Sequence, residues 1–296
     1  MTIVTKLAGK VPPTWLRSVA RLQYRYRWVK PAFELVANHV RNHDGDIQRG
    51  VGKGLRFNAA ESMAGYLLGT AEPDMQLALK LLVQEGMTVF DFGANVGFIS
   101  MIAARLVGPG GRVISFEPLP ANVRQIRYNA DLNHFDHVTV REEAVGGKDG
   151  QACFDVTDFP TTGRLQNDEK IHEEKTAELQ VVVRQLDSVM AEAGLPPPDI
   201  IKMDVEGAET AVLAGASKMI AAARPLMLIE LHGTNREIAD ELAAKEYEAY
   251  VLGSSVGILE AHWNSHIIAI PRERTDLSVI VANLRDPIFV AEFDSV

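Results

Sequence analysis

Apolar and polar positions change rhythm along this chain. Trp15, Val19, Leu22, Tyr26 and Val29 recur at spacings of three and four. That spacing predicts an amphipathic helix from Trp15 to Lys30, with Arg17, Arg21 and Arg25 as a stripe beside its apolar face. Pro31 ends it, and Ala32 to Asn42 predicts a second helix. Between Ile47 and Asn58, Gly50, Gly52 and Gly54 interrupt short apolar stretches, the pattern of a hairpin. Glu61 to Gln84 is helical again, with a break near Gly69 to Pro73.

From Thr88 onward, short apolar runs alternate with helical ones. Thr88 to Phe92, Val113 to Phe116, Val138 to Ala144, Ile200 to Met203, Leu226 to Glu230 and His266 to Ile270 predict strands. Helices are expected from about Phe98 to Leu106, Ala121 to Leu132, Thr210 to Ala222 and Asn235 to Ala244. Such alternation implies an α/β fold, a mostly parallel sheet with helices on both faces. Ala152 to Val156 and Leu179 to Arg184 predict two more strands around a polar stretch, Thr157 to Ala177, expected to be a mobile loop. The expected division is a helical N-terminal extension with a short hairpin, residues 1–60, and a catalytic domain, residues 61–296.

Candidate chemistry gathers at the ends of the predicted strands. Asp91-Phe92-Gly93-Ala94-Asn95-Val96-Gly97 joins the first of them to its helix. Glycines there allow a tight turn and a close ligand approach, and the helix start offers amide groups and a positive dipole end. Glu117 ends the next strand, where a carboxylate can accept both ribose hydroxyls of a nucleoside. A dinucleotide site would prefer G-x-G-x-x-G, whereas here the spacing is Gly93-x-x-x-Gly97. Asp91 would repel a pyrophosphate and attract an ammonium or sulfonium group. S-adenosylmethionine carries both cations, so the pattern leans away from NAD.

Composition narrows the class. Of 296 residues, 47% are apolar and 23% charged, ordinary for a globular protein and against disorder. The single cysteine, Cys153, excludes an intrachain disulfide framework and a cysteine-only metal cage. No apolar run reaches the ~18–20 residues of a membrane span, and Lys6 and Lys10 interrupt any signal-peptide core. A cytoplasmic location is expected. The formal net charge of −9 is unevenly spread. Residues 1–56 hold 11 Lys and Arg against three acids, net +8, and the remainder is net −17. The basic head suggests an accessory segment, for acceptor enclosure or for contact in a homodimer.

The chain resembles a class I S-adenosylmethionine-dependent methyltransferase, and more specifically the FkbM family. The matching residues are Phe90 to Gly97, Ser115-Phe116-Glu117-Pro118 and Ile201-Lys202-Met203-Asp204-Val205-Glu206-Gly207-Ala208-Glu209. Leu186-Asp187-Ser188 and Leu228-Ile229-Glu230-Leu231-His232 also fit, so the likeness spans about Met75 to Pro271. It implies a Rossmann-like fold with a seven-stranded sheet, and methyl transfer, usually to oxygen, in natural-product, glycan or lipid pathways. It further implies that Gly93, Asn95 and Gly97 cradle the methionine part of the cofactor, with Asp91 near its ammonium. Glu117 would hold the ribose, Pro118 would shape that turn, and Glu143 or Ala144 would lie beside the adenine.

Asp204 emerges at the end of a buried strand above the same cleft, and Glu206 follows. Glu209 opens the next helix, where capping accounts for it. His232 follows Glu230 at another strand end, with His262, Trp263, Asn264 and His266 as weaker neighbours. Asp204, Glu206 and His232 are therefore the catalytic candidates, with Asp204 also beside the cofactor. A positioned base would assist an alcohol acceptor by ~10²–10⁴-fold, and a carboxylate acceptor would need none. A divalent metal on Asp204, Glu206, Glu230 and His232 is the second option, but no compact ligand spacing supports it. The expected function is O-methylation of a hydroxyl or carboxyl on a small molecule, natural product or sugar. The alternative is a non-catalytic cofactor-fold protein that binds a partner through its basic head. A nucleic-acid partner is disfavoured by the acidic body and by the lack of Asn-Pro-Pro-Tyr near Asp204.

Overall fold

The computed structural model describes residues 43–60, 62–156, 163–165 and 177–294. The two expected N-terminal helices and most of the stretch expected to be a mobile loop lie outside the described residues. A two-stranded antiparallel hairpin, β1 (Gly45–Asp46) with β2 (Arg56–Phe57), comes first. The central strands follow in chain order as β3 (Thr88–Phe92), β4 (Arg112–Phe116) and β5 (Val138–Arg141). A smaller sheet then uses β6 (Ala144–Val145), β7 (Gly150–Val156), β8 (Gly163–Leu165) and β9 (Ala177–Arg184). The chain returns through β10 (Ile200–Met203), β11 (Leu226–Glu230), β12 (Tyr247–Val251) and β13 (His266–Pro271).

The main sheet has seven strands in the order β12-β13-β11-β10-β3-β4-β5. Only β13 runs antiparallel to its neighbours, β11 and β12. Alternate side chains enter two separate cores, as a sheet covered on both faces requires. Val89, Val113, Ile200, Leu226 and Leu228 pack on one face, and Phe90, Phe92, Ile114, Ile201, Met203 and Ile229 on the other. Ile47, Leu55 and Phe57 of the hairpin region join the first of these cores. Tyr66 also joins it and stacks on Phe98, the rings 4.8 Å apart.

Among the described residues the expected helices and strands are present, with instructive differences. The strand expected from Val138 to Ala144 ends at Arg141. Its partner β4 stops at Phe116, because Glu117 turns into a loop, so Ala144 crosses to the smaller sheet and pairs with Val183. The helix expected from Thr210 to Ala222 is two helices, Glu209–Gly215 and Ser217–Ala223. Asp187 causes part of that break, since its carboxylate accepts the amides of Lys218 and Met219 at 2.9 and 2.8 Å. Tyr247–Val251 supplies the seventh strand, which its mixed sequence did not announce. Helices Leu186–Ala193, Ser278–Arg285 and Pro287–Asp294 were likewise not expected.

The connections from the central strand β3 and its neighbour β10 lead away to opposite sides of the sheet. Such a switch in strand order opens a crevice at the carboxyl ends of the strands. The glycine turn after β3 and the acidic segment after β10 both stand there.

Candidate active site

The turn after β3 is held from below by its neighbours. Gly93 and Ala94 both donate their amides to the Phe116 carbonyl at 3.1 Å. Asn95 donates its amide to Glu117 Oε2 at 2.8 Å, and Leu119 donates to Glu117 Oε1 at 2.9 Å. Three successive amides of this turn are thus engaged within the protein and are not displayed to a phosphate. That strengthens the preference against a dinucleotide on different grounds from charge.

Glycine is required at Gly93 for two reasons. Its φ is +71°, and a Cβ would lie 1.8 Å from the Asp204 carbonyl oxygen. The two loops that carry the candidate residues therefore touch through their backbones. Gly97, at φ +86°, packs against Ile126 with a Cβ contact of 3.2 Å, so its first task is helix packing.

Beneath the turn lies a buried polar patch. Asp91 Oδ2 accepts from the Ser100 hydroxyl at 2.6 Å, and Ser100 meets Ser115 at 2.7 Å. Lys202, in the middle of β10, sends its ammonium to the Gly93 carbonyl at 3.0 Å. That ammonium is 3.4 Å from Asp91 and 3.6 Å from Asp204. Burial alone would lower its pKa, but Asp91, Asp204 and Glu72 more than reverse this and keep it charged. The negative charge expected of Asp91 is therefore met inside the protein. The motif from Ile201 to Glu209 contains Lys202 but does not by itself assign it a role. A lysine inside the four-residue apolar strand Ile200–Met203 is the signal that could have found it.

Donor-seeking atoms remain at the turn. Asn95 Oδ1 and Asp91 Oδ1 are buried without a hydrogen-bond partner, though Asp91 Oδ1 faces Lys202. Asn95 holds φ +52°, a strained value for a residue with a side chain. Burial raises the Glu117 carboxyl to about 7, against the amides of Leu119 and Asn95. Pro118 is half-buried at the head of that loop. Glu143 and Ala144 are buried beyond the end of β5, and Glu143 accepts from Arg141. Orphaned acceptors and a buried carboxylate fit a ligand that brings an ammonium and ribose hydroxyls.

The other half of the crevice is an imidazole ringed by acids. His232 is centred by Glu209, which is fully buried and accepts His232 Nδ1–H at 2.8 Å. Glu209 also accepts from the Gly207 amide at 2.9 Å and the Thr234 hydroxyl at 3.1 Å. Capping is thus only part of its work. His232 Nε2 faces Asp204 at 3.5 Å, Glu206 at 3.6 Å and Glu230 at 3.9 Å. Burial lowers the His232 pKa, but Glu209, Asp204 and Glu206 outweigh it and raise it to about 9. Glu206 sits at φ +52°. His266 bonds Asp74 at 2.9 Å and faces Glu230 at 3.4 Å, a connection that no spacing announced. His262 and Trp263 are exposed, but the Trp263 carbonyl accepts the Gly233 amide at 2.8 Å and so borders His232. All three expected catalytic residues, Asp204, Glu206 and His232, are brought together.

Comparison with known proteins identifies a family. The family model of the FkbM methyltransferase domain matches residues 91–252. The chain is 24% identical over 196 residues to 2-O-methyltransferase NoeI of Sinorhizobium fredii (strain NBRC 101917 / NGR234), covering 60% of this chain and 79% of that protein. It is 25% identical over 228 residues to 31-O-demethyl-FK506 methyltransferase FkbM of Streptomyces tacrolimicus, covering 64% of this chain and 82% of that protein. A crystal structure of methyltransferase FkbM from Methylobacillus flagellatus KT superposes at a TM-score of 0.41 and 18% identity. That match covers 70% of this chain and 53% of the crystallised one. Among the described residues, no helix is long and apolar enough to cross a membrane.

Proposed function

The chain belongs to the FkbM methyltransferase family, and on that premise we propose that it methylates an oxygen, most readily a hydroxyl of a small molecule, natural product or sugar. S-adenosylmethionine, the methyl donor of such an enzyme, supplies a methyl group on a sulfonium. Glu117 receives the ribose hydroxyls, and Asn95 faces the ammonium end, with Asp91 beneath it holding the turn through Ser100 and Lys202. Pro118 shapes the ribose turn, and Glu143 and Ala144 flank the base. Lys202 holds Gly93 and Asp204 in place, so the two loops keep one spacing.

The observation that carries the choice of oxygen is the His232 cluster. An imidazole fixed by a buried glutamate stands among Asp204, Glu206 and Glu230, one backbone contact away from the glycine turn. Transfer to a hydroxyl needs that hydroxyl oriented and its proton removed. Glu206, 39% exposed and the most open of these acids, takes the proton. Asp204 and His232 orient the oxygen. The 2-O and 31-O activities in the names of two relatives support the same choice. Trp263, 54% exposed, offers an indole face for an apolar or sugar ring beside the cluster.

The test is methyl transfer from isotopically labelled S-adenosylmethionine to a panel of sugars and polyketide alcohols, with S-adenosylhomocysteine binding measured by calorimetry. Labelled ether product from one class, and binding of the product cofactor, are expected. Absence of binding would remove the proposal. If Glu206→Gln and His232→Ala leave turnover intact, the acceptor is a carboxylate.

A further inference from the structure

Spacing along the sequence offered no metal site, but the ends of β10 and β11 place ligand atoms of Asp204, Glu230 and His232 within 4.8 Å of one another. His232 Nε2 lies 3.5 Å from Asp204 Oδ1 and 3.9 Å from Glu230 Oε1. These separations are too wide for hydrogen bonds, which close at about 2.7–3.2 Å. They are near the spacing of two adjacent ligands on one hard cation, since metal–ligand distances of about 2.1–2.5 Å place neighbours roughly 3.0–3.5 Å apart.

The side chains are also aimed. Glu209 accepts the Nδ1–H of His232, which leaves Nε2 as the nitrogen turned toward the acids, where a bound cation would displace its proton. A histidine that donates its far nitrogen to a carboxylate is the usual arrangement of a metal ligand. Lys202 occupies the other oxygen of Asp204, so Oδ1 is the one turned to His232. His266, tied to Asp74, does the same for Glu230 by facing Oε2 and leaving Oε1 toward His232. Two separate positioning contacts thus turn one oxygen of each acid toward the same point. Asp204 and Glu230 remain 25% and 22% exposed, so the point is open on the side where an acceptor would enter.

We propose that Asp204, Glu230 and His232 bind one divalent cation of the magnesium or manganese class, completed by water and by the acceptor's oxygens. Two carboxylates and one imidazole are a hard donor set that suits these ions. This rests on the methyl-transfer reading above and deepens it. The cation would polarise the acceptor hydroxyl, and Glu206 beside it would take the proton.

The experiment is titration of Mn²⁺ into the chelator-treated full-length protein, read by electron paramagnetic resonance, with S-adenosylhomocysteine calorimetry on the same sample. One Mn²⁺ per chain is expected, weakened at least tenfold in Glu230→Gln and in Asp204→Asn. Thermal unfolding shows that each variant is folded, and S-adenosylhomocysteine binding is expected to be retained in Glu230→Gln. His266→Gln, outside the ligand set, is expected to weaken Mn²⁺ by a smaller factor. No binding, or equal binding by wild type and both ligand variants, overturns the cation site. S-adenosylhomocysteine binding without Mn²⁺ removes the cation and leaves the methyltransferase standing. Mn²⁺ binding without S-adenosylhomocysteine removes the functional proposal instead.

Discussion

The two halves of the crevice solve the same electrostatic problem differently. At β3 and β4 the carboxylate proposed to meet the ribose, Glu117, accepts backbone amides of Asn95 and Leu119, all within 25 residues of chain. At β10 and β11 the acids face imidazoles, and the contacts join segments far apart, such as Asp74 with His266. Amide partners cannot change charge, so in the first half only Glu117 itself titrates. Imidazoles and acids can exchange protons or share a cation, so the second half is suited to chemistry. Lys202 sits between the halves, against Asp91 on one side and Asp204 on the other.

The comparison predicts separable effects. Glu206→Gln should lower turnover by about 10²–10⁴-fold with S-adenosylhomocysteine affinity unchanged. If affinity falls in step, the halves are not distinct. Lys202→Met should strike both, because it strands three carboxylates that now share one buried cation. A loss of about 3–5 kcal/mol in urea unfolding is expected, and a loss near zero would show that the patch neutralises itself without the lysine. Glu117→Gln should reduce cofactor-product affinity by about 10–100-fold, the worth of hydrogen bonds to a charged group. Its turnover at saturating cofactor should change far less.

The pH dependence sharpens the same point. In the proposed function the ribose hydroxyls need Glu117 ionised, and burial raises its pKa to about 7. Affinity should therefore rise as pH increases through about 7, by at most about tenfold per unit below it. Stability of the free protein should move the opposite way. The folded state holds a proton that the unfolded chain, with an ordinary value of 4.5, has already released, so this contribution declines between about pH 4.5 and 7. Calorimetry and thermal unfolding across that range test both signs. The smallest effect is expected from His262→Ala, an exposed residue whose loss should shift stability by no more than about 0.5 kcal/mol.

Most strands and the glycine turn were legible because their signals are local. Thr88–Phe92, Ile200–Met203 and Leu226–Glu230 match their apolar runs residue for residue. Tyr247–Val251 escaped notice because it is partly exposed and mixed in character. The single helix expected after Asp204 failed for a reason outside its own sequence, the Asp187 carboxylate that starts a second helix at Ser217. Lys202 was visible but unexplained, because two of its three acidic partners, Glu72 and Asp91, lie far from it in the chain.

The sequence by itself determined the alternation of strands and helices, the turn from Asp91 to Gly97, and the family. These depend on periodicity and on residues adjacent in the chain. Only the tertiary structure decided that Glu209 fixes His232, that His266 and Asp74 brace Glu230, and that Asp204, Glu230 and His232 converge. The physical reason is that a parallel sheet carries its strand ends to one edge regardless of their distance in sequence. Charges separated by dozens of residues there come within 4 Å of one another.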